Sequence, residues 1–499
     1  MLRRRAGGIL MHLTSLPSRY GVGDFGPQAY AFADFLKQAG ANYWQMLPLT
    51  YPTAQGGYSP YNCMSAFAGN PMLISPEKLY QDGWLTQSEL DAAEALPADA
   101  AAFNRAGRLR STLLGCAFER FDTHAHRDTA YQAFLEQASG WLDDFAIFKV
   151  LKARQRGASW AQWPAAFRNR RKNTLERFAR EQRDAIEREK FIQYLFTQQF
   201  SALKDYCNDN GILLFGDMPI YVQYDSADVW AHPELFKLDR SKKPRFIAGV
   251  PPDYFSKTGQ LWGNPVYDWD ANAQRGYRWW LQRLGHNLTL FDLLRIDHFR
   301  GFEAYWQVPA GHKTAVKGTW IEGPGADFFE AALRQMPQAA LVAEDLGVIT
   351  PAVRELIEMY QLPCMKVLQF AFNGRTNNTH LPFNHIRNSV VYTGTHDNNT
   401  TLGWFRGEAS AAARKQLAAY LGTSVSSRSV VPEMIRLAMA SPARLCILPM
   451  QDVLALGAEA RMNTPSRRSG NWTWRMAPGS LKKLTTNALS QLAQTYGRL

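Results

Sequence analysis

The sequence predicts an α/β fold, a (β/α)8 TIM barrel carrying a large, mostly helical insertion and aromatic-rich loops at the C-terminal face of the barrel. Eight short apolar runs occur in order, at residues 8–14, 43–49, 212–217, 291–297, 340–345, 365–370, 390–395 and 445–452. Several are apolar at consecutive positions, as in Ile212-Leu-Leu-Phe215 and Leu341-Val-Ala343, the pattern of parallel strands covered by helices. Stretches of helical period lie between many of them, and that alternation builds a barrel.

The first two runs belong to residues 1–76, the start of the barrel. Residues 77–210 are rich in Ala, Leu, Glu, Gln, Lys and Arg at helical period, as in 143–155 and 190–207, and read as a helical subdomain inserted after the second strand. Residues 211–499 supply strands three to eight. Within them, residues 223–282 hold Trp230, Tyr254, Phe255, Trp262, Tyr267, Trp269, Trp279 and Trp280. An aromatic connection of this length at a catalytic rim is expected to wall a substrate rather than fill a core. Residues 480–499 read as a closing helix with Leu481, Leu484, Leu489 and Leu492 on one side.

With 499 residues, 46% of them hydrophobic, the chain can bury a large core, which excludes global disorder and a disulfide-stapled miniature domain. Its five cysteines lie far apart without metal-ligand spacing, which favours a reducing compartment and argues against structural zinc. Met1-Leu-Arg-Arg-Arg5 opens like a signal peptide, yet the apolar stretch after it is too short, and no run reaches the ~18 apolar residues of a membrane span. A cytoplasmic protein with no membrane partner is expected. The net charge of +12 would suit a polyanion, and residues 168–183 form the densest basic run. Glu176, Glu181, Asp184 and Glu187 interleave there at helical spacing, so the run reads as a solvated helix face, and no nucleic-acid partner is expected.

Carboxylates sit at the ends of the predicted strands: Asp217, Asp297, Glu344 with Asp345, and Asp397 just past the seventh. In a barrel those ends converge on the face where chemistry is done. Singly, each reads equally as a turn or helix-cap residue, and together they could hold a hard cation such as magnesium. The abundance of Trp and Tyr favours sugar instead, since flat apolar faces stack on pyranose rings while Asp, Asn and His bond hydroxyls. Glycoside chemistry needs one ionised and one protonated carboxyl group. Arg295 lies two residues before Asp297, on the same side of the strand, and is expected to hold Asp297 ionised as a nucleophile. Glu344 has no basic neighbour in sequence and follows Leu-Val-Ala, so desolvation should raise its pKa and suit it to be the acid. Asp397 is expected to stabilise the distorted sugar, with His298 and His396 donating hydrogen bonds beside the acids.

The segments Arg295-Ile-Asp-His-Phe-Arg-Gly301, Ala343-Glu-Asp-Leu-Gly347 and Thr393-Gly-Thr-His-Asp-Asn398 resemble signature regions of the 4-α-glucanotransferases, also called amylomaltases or disproportionating enzymes, of glycoside hydrolase family 77. Further resemblances at 12–18, 59–70, 216–222, 249–264, 365–372 and 459–474 extend the match over almost the whole chain. The resemblance implies a barrel with helical insertions and a retaining double displacement, with nucleophile, acid/base and transition-state stabiliser on Asp297, Glu344 and Asp397. It implies that Tyr61, Asp217, Trp262, Arg295, His396 and Asn471 line the subsites, and that residues 252–255, with Asp253 and Tyr254, form a flap over long glucans. It further implies no metal and no organic cofactor, α-1,4-glucans and maltooligosaccharides as donors, and glucose or another glucan as acceptor. The carboxylates alone serve hydrolysis as well as transfer, and a noncatalytic glucan binder would also display the aromatics. The choice of transfer rests on the resemblance.

Overall fold

The computed structural model describes residues 2, 4–122, 129–252, 256–465, 467, 469–483 and 486–499. The expected flap residues Asp253 and Tyr254, and Leu484 of the closing helix, lie outside the described residues. Twelve strands occur among the described residues: β1 (Ala6–Leu10), β2 (Tyr43–Gln45), β3 (Leu213–Met218), β4 (Phe246–Val250), β5 (Gln260–Pro265), β6 (Leu293–Ile296), β7 (Ala304–Pro309), β8 (Thr319–Glu322), β9 (Leu341–Ala343), β10 (Cys364–Val367), β11 (Ser389–Tyr392) and β12 (Leu445–Pro449).

Eight of them form one parallel sheet in the order β10-β11-β12-β1-β2-β3-β6-β9, and each coincides with one predicted run. The edge strands β9 and β10 are joined by the Ala343 N–H donating to the Pro363 carbonyl (2.9 Å) and the Met365 N–H donating to the Asp345 carboxylate (2.7 Å), which leaves a nearly closed barrel. Its interior is tight. A Cβ on Gly8 would lie 2.6 Å from both Ile447 Cδ1 and Tyr43 Cβ, so glycine is what lets β1 approach its neighbours. Several strands end sooner than their apolar runs: β1 gives way to a 3-10 turn at Leu13–Ser15, and β12 to helical Met450–Val453.

Between β2 and β3 the chain is mostly helical, ending in the 27-residue helix Arg183–Asp209, ~40 Å long, which buries Phe191, Leu195, Phe200 and Leu203. The basic run forms the exposed helix Lys172–Glu181, with Lys172–Glu176 at 3.9 Å and Arg177–Glu181 at 3.8 Å. All five cysteines are free, and among the described residues no helix is long and apolar enough to cross a membrane.

A second sheet, antiparallel and ordered β5-β4-β7-β8, was not expected from the sequence. The aromatic insert also differs from expectation: Trp230, Tyr267, Trp269, Trp279 and Trp280 are buried. The helices Trp269–Gln274 and Arg278–Leu290 bring Trp269 and Trp280 within 5.9 and 5.3 Å of Phe302, and Trp280 within 5.6 Å of Phe328 on helix Gly325–Gln335, so these rings fill an aromatic core. At the far end of the chain the buried Arg498 donates to the carbonyls of Ala6, Ala438, Met439, Ser441, Ala443 and Arg444 at 2.7–3.4 Å, clasping β1 to helix Val430–Ala440.

Candidate active site

Register assembles the site. Asp217 of β3 stands opposite Arg295 of β6, which stands opposite Val342 of β9. Opposed residues on neighbouring strands point to the same side, so the guanidinium meets the carboxylate directly: Arg295 Nη1 donates to both oxygens of Asp217, at 2.7 and 2.6 Å. Arg295 Nη2 lies 2.9 Å from Asp297 Oδ1, and the Tyr61 hydroxyl donates to Asp217 Oδ2 at 2.7 Å.

Beyond the strands the ladder continues with the Asp297 N–H on the Met218 carbonyl (3.0 Å) and the Glu344 N–H on the Ile296 carbonyl (3.1 Å), which sets both acids at one level. His298 then adopts a left-handed backbone (φ 51°, ψ 49°), uncommon for a residue with a side chain, and its N–H donates to Glu344 Oε2 at 2.7 Å. Leu346 N–H donates to Oε1 at 2.8 Å. That first bond plus the ~2.4 Å from the His298 nitrogen to the Asp297 Cα puts a Glu344 oxygen within about 5 Å of that Cα.

Burial pushes the carboxyl groups of both Asp297 and Glu344 up; Arg295 is the main opposing influence on each, and the charges of Asp217, Glu344 and Asp397 push Asp297 further. This corrects the expectation that Arg295 holds Asp297 low. The guanidinium is shared with Asp217, and burial outweighs what remains. The charge of Glu344 is one of those that raise Asp297, so the two carboxyl groups titrate together and a proton on one favours ionisation of the other.

Asp397 lies on the loop after β11 with 47% of its side chain exposed. Asn463 Nδ2 donates to its Oδ1 at 2.6 Å, His396 Nε2 stands 3.4 Å from the same oxygen, and Arg461 Nη2 donates to its backbone carbonyl at 2.8 Å. His396 stacks on Tyr61 (5.2 Å, 15°), and Trp472 packs against both, at 5.9 Å from Tyr61 and 6.0 Å from His396, joining this loop to Asp217. The buried Asp452 anchors the loop at both ends, accepting from the hydroxyls of Thr393 (2.5 Å) and Thr401 (2.6 Å) and from the Thr401 N–H (2.7 Å). His298 meets Trp262 edge to face at 4.8 Å, and its Nε2 is buried without a hydrogen-bond partner. Burial lowers the His298 imidazole to about 3 and lowers His396 as well, which favours the neutral form of both rings beside the acids.

Two residues do not join them. Asp345 bonds the Met365 N–H and faces Lys366 at 3.9 Å, serving the barrel seam. Asn471 accepts the Thr464 N–H at 2.9 Å and donates to the Arg467 carbonyl at 3.0 Å, so its amide shapes its own loop. Asn463, Arg461 and Trp472 were not singled out in the sequence. All three fall within the 459–474 resemblance, but the path of that loop decides which polar groups reach Asp397.

The sequence profile of the family described as 4-alpha-glucanotransferase, glycoside hydrolase family 77, matches residues 11–482. The chain is 44% identical to the 4-alpha-glucanotransferase of Aquifex aeolicus (strain VF5) and 46% identical to that of Thermus thermophilus, covering 99% of each pair of chains. The solved structure of an amylomaltase from Streptococcus agalactiae in complex with acarbose is 36% identical and superposes with a TM-score of 0.95, over 99% of this chain and 100% of that one. Because the likeness runs through barrel and insertion alike, the chain belongs to glycoside hydrolase family 77, the 4-α-glucanotransferases.

Proposed function

We propose that the chain transfers a segment of an α-1,4-glucan to the 4-hydroxyl of a second glucan, a maltooligosaccharide or glucose, with retention at the anomeric carbon. Glu344 gives its proton to the glycosidic oxygen while Asp297 attacks C1; the C1–O bond breaks, the reducing-end fragment leaves, and a β-glucosyl ester forms on Asp297. Glu344, now ionised, takes the proton of the incoming 4-hydroxyl, whose oxygen displaces Asp297 and restores the α configuration. In the reactive state the proton sits on Glu344, because Asp297 is the member of the pair in contact with Arg295.

The observation that carries this reading is the bond from the His298 N–H to Glu344, which brings the Glu344 carboxylate beside Asp297 just past the ends of the neighbouring strands β6 and β9. Asp397, braced by Asn463, holds the hydroxyls of the distorted sugar, and the neutral rings of His298 and His396 bond hydroxyls without opposing the positive charge that grows at C1. Tyr61 and Trp262 offer faces to the sugars. Every step uses protein side chains and needs no cofactor. Incubation with maltotriose is expected to yield glucose and a ladder of longer maltooligosaccharides with no net rise in reducing ends; a rise would mean hydrolysis. Asp297→Asn and Glu344→Gln should each lower kcat about 10³-fold or more with the fold intact, and a wild-type rate in either would overturn that residue's role.

A further inference from the structure

Glu344 receives its two hydrogen bonds from separate segments. The His298 N–H immediately precedes the 3-10 turn Phe299–Phe302, and the Leu346 N–H belongs to the loop 345–350. Arg300 joins the two: it sits in that turn, is buried, and its Nη1 donates to the carbonyl of Val348. We propose that Arg300, seated on Trp320, is a positioning residue for the acid/base group, and that this pair ties Glu344 to the turn 256–259 that leads into β5. The assignment rests on Glu344 being the acid/base residue.

The Arg300 guanidinium carbon lies 3.8 Å from the centre of the Trp320 ring, whereas the carboxylate of Glu303 stands 3.9 Å from Arg300 Nη2, beyond hydrogen-bond reach. A buried guanidinium over an indole face is held by cation–π attraction. Val348 is 60% exposed and its side chain packs little, so between Leu346 and Ile349, which pack against the core, the Arg300 bond is what holds this residue. From Trp320 the contacts run on. Its ring lies 5.3 Å from that of Trp306, whose indole N–H donates to the Ala315 carbonyl at 2.9 Å, and the Ala315 N–H donates to the Thr258 carbonyl at 3.0 Å. Thr258 belongs to a turn, 256–259, closed by the Gly259 N–H on the Ser256 carbonyl (3.2 Å) and the Ser256 hydroxyl on the Gly259 carbonyl (2.8 Å). Ala315 is fully buried, and a Cβ on Gly259 would come within 3.0 Å of its Cβ, so turn and β7–β8 loop are in close contact. One unbroken series of contacts therefore links the turn 256–259 to both N–H donors on Glu344.

Proton transfer needs the carboxyl within hydrogen-bond reach of the glycosidic oxygen, and misplacement by ~1 Å costs about a hundredfold in rate. Trp320→Ala, Trp320→Phe, Arg300→Met and Trp306→Phe are compared with the parent protein on maltotriose, with Glu344→Gln as reference. Trp320→Ala and Arg300→Met are expected to lower kcat about 10- to 100-fold with KM within about threefold, while Trp320→Phe, which keeps a ring under Arg300, recovers most of the rate. Trp306→Phe, which deletes the N–H on Ala315, should lower kcat in the same direction and combine less than additively with Trp320→Ala. The proposal falls if Trp320→Ala keeps the parent kcat, if it raises KM alone as a sugar platform would, if kcat drops only in step with the folded fraction, or if the two tryptophan effects simply add. Activity persisting in Glu344→Gln would instead overturn the acid/base reading itself.

Discussion

Asp297→Asn should make the protein more stable above neutral pH while removing its activity. The Asp297 carboxylate shares one guanidinium with Asp217 and feels the charges of Glu344 and Asp397, so burial and three carboxylates oppose its ionisation together. Its carboxyl is pushed from 3.8 up to about 8, and if it titrated alone that would separate its two protonation states by ~6 kcal/mol. Substitution recovers much less, because Asp297 titrates together with Glu344 and 28% of its side chain meets solvent; about 1–3 kcal/mol is expected. The folded protein keeps this proton to higher pH than the unfolded chain does, so the group's contribution to stability is greatest near pH 4 and falls as pH rises toward about 8. Removing the charge should therefore gain almost nothing near pH 4 and the full amount near pH 8. For 499 residues, ~1 kcal/mol moves the thermal midpoint by about 1 °C. Calorimetry of both proteins at the two pH values reads the effect. A midpoint for Asp297→Asn below the parent's near pH 8, or a larger gain near pH 4, would show that the cluster does not strain the fold.

Two further substitutions probe what braces the site and the barrel. Asn463→Ala removes the 2.6 Å bond on Asp397 and should cut kcat on maltotriose about 10- to 100-fold with a smaller change in KM; an unchanged kcat would leave His396 and Arg461 as sufficient support. Arg498→Met keeps the apolar stem but removes one donor from each of six carbonyls, of which Met439 and Ser441 keep Arg5 and Arg444 keeps the Ala6 N–H, and should cost about 3 kcal/mol, read as a lower urea midpoint; parental stability would mean that these remaining donors and water suffice.

The barrel was legible because parallel strands covered on both sides are apolar at successive positions, and the stretches 213–215, 293–294 and 341–343 are written that way. Their ends were overrun for the same reason: Leu13, Leu47 and Leu49 are buried without standing in a strand, and hydrophobicity reports burial rather than ladder hydrogen bonds. The antiparallel sheet stayed hidden because Thr319–Glu322 is largely exposed and Gln260–Pro265 is interrupted by glycine and proline. The acids of the candidate site could be singled out because each stands at or just past the end of a strand. Their electrostatics could not, since Asp217, 78 residues before Arg295, takes its share of the guanidinium only through the register of β3 on β6. Asn463 and Asn471 illustrate the remaining gap: eight positions apart in one loop, with the same side chain, one reaches Asp397 and the other its own backbone.

The placement of β1 between β2 and β12 has a consequence for how the protein comes to exist. Gly8 pairs with Tyr43, but Ala6 must wait for Leu445, and a ribosome adding about 5–20 residues per second needs roughly 20–90 s to supply it. For that interval one side of β1 is an open edge on a nascent sheet, available to the strands of other chains. The last strand and the Arg498 clasp thus end a period of exposure as well as completing a structure. Lesions there would show first as protein lost to aggregation during synthesis, while the molecules that do close keep a normal active site.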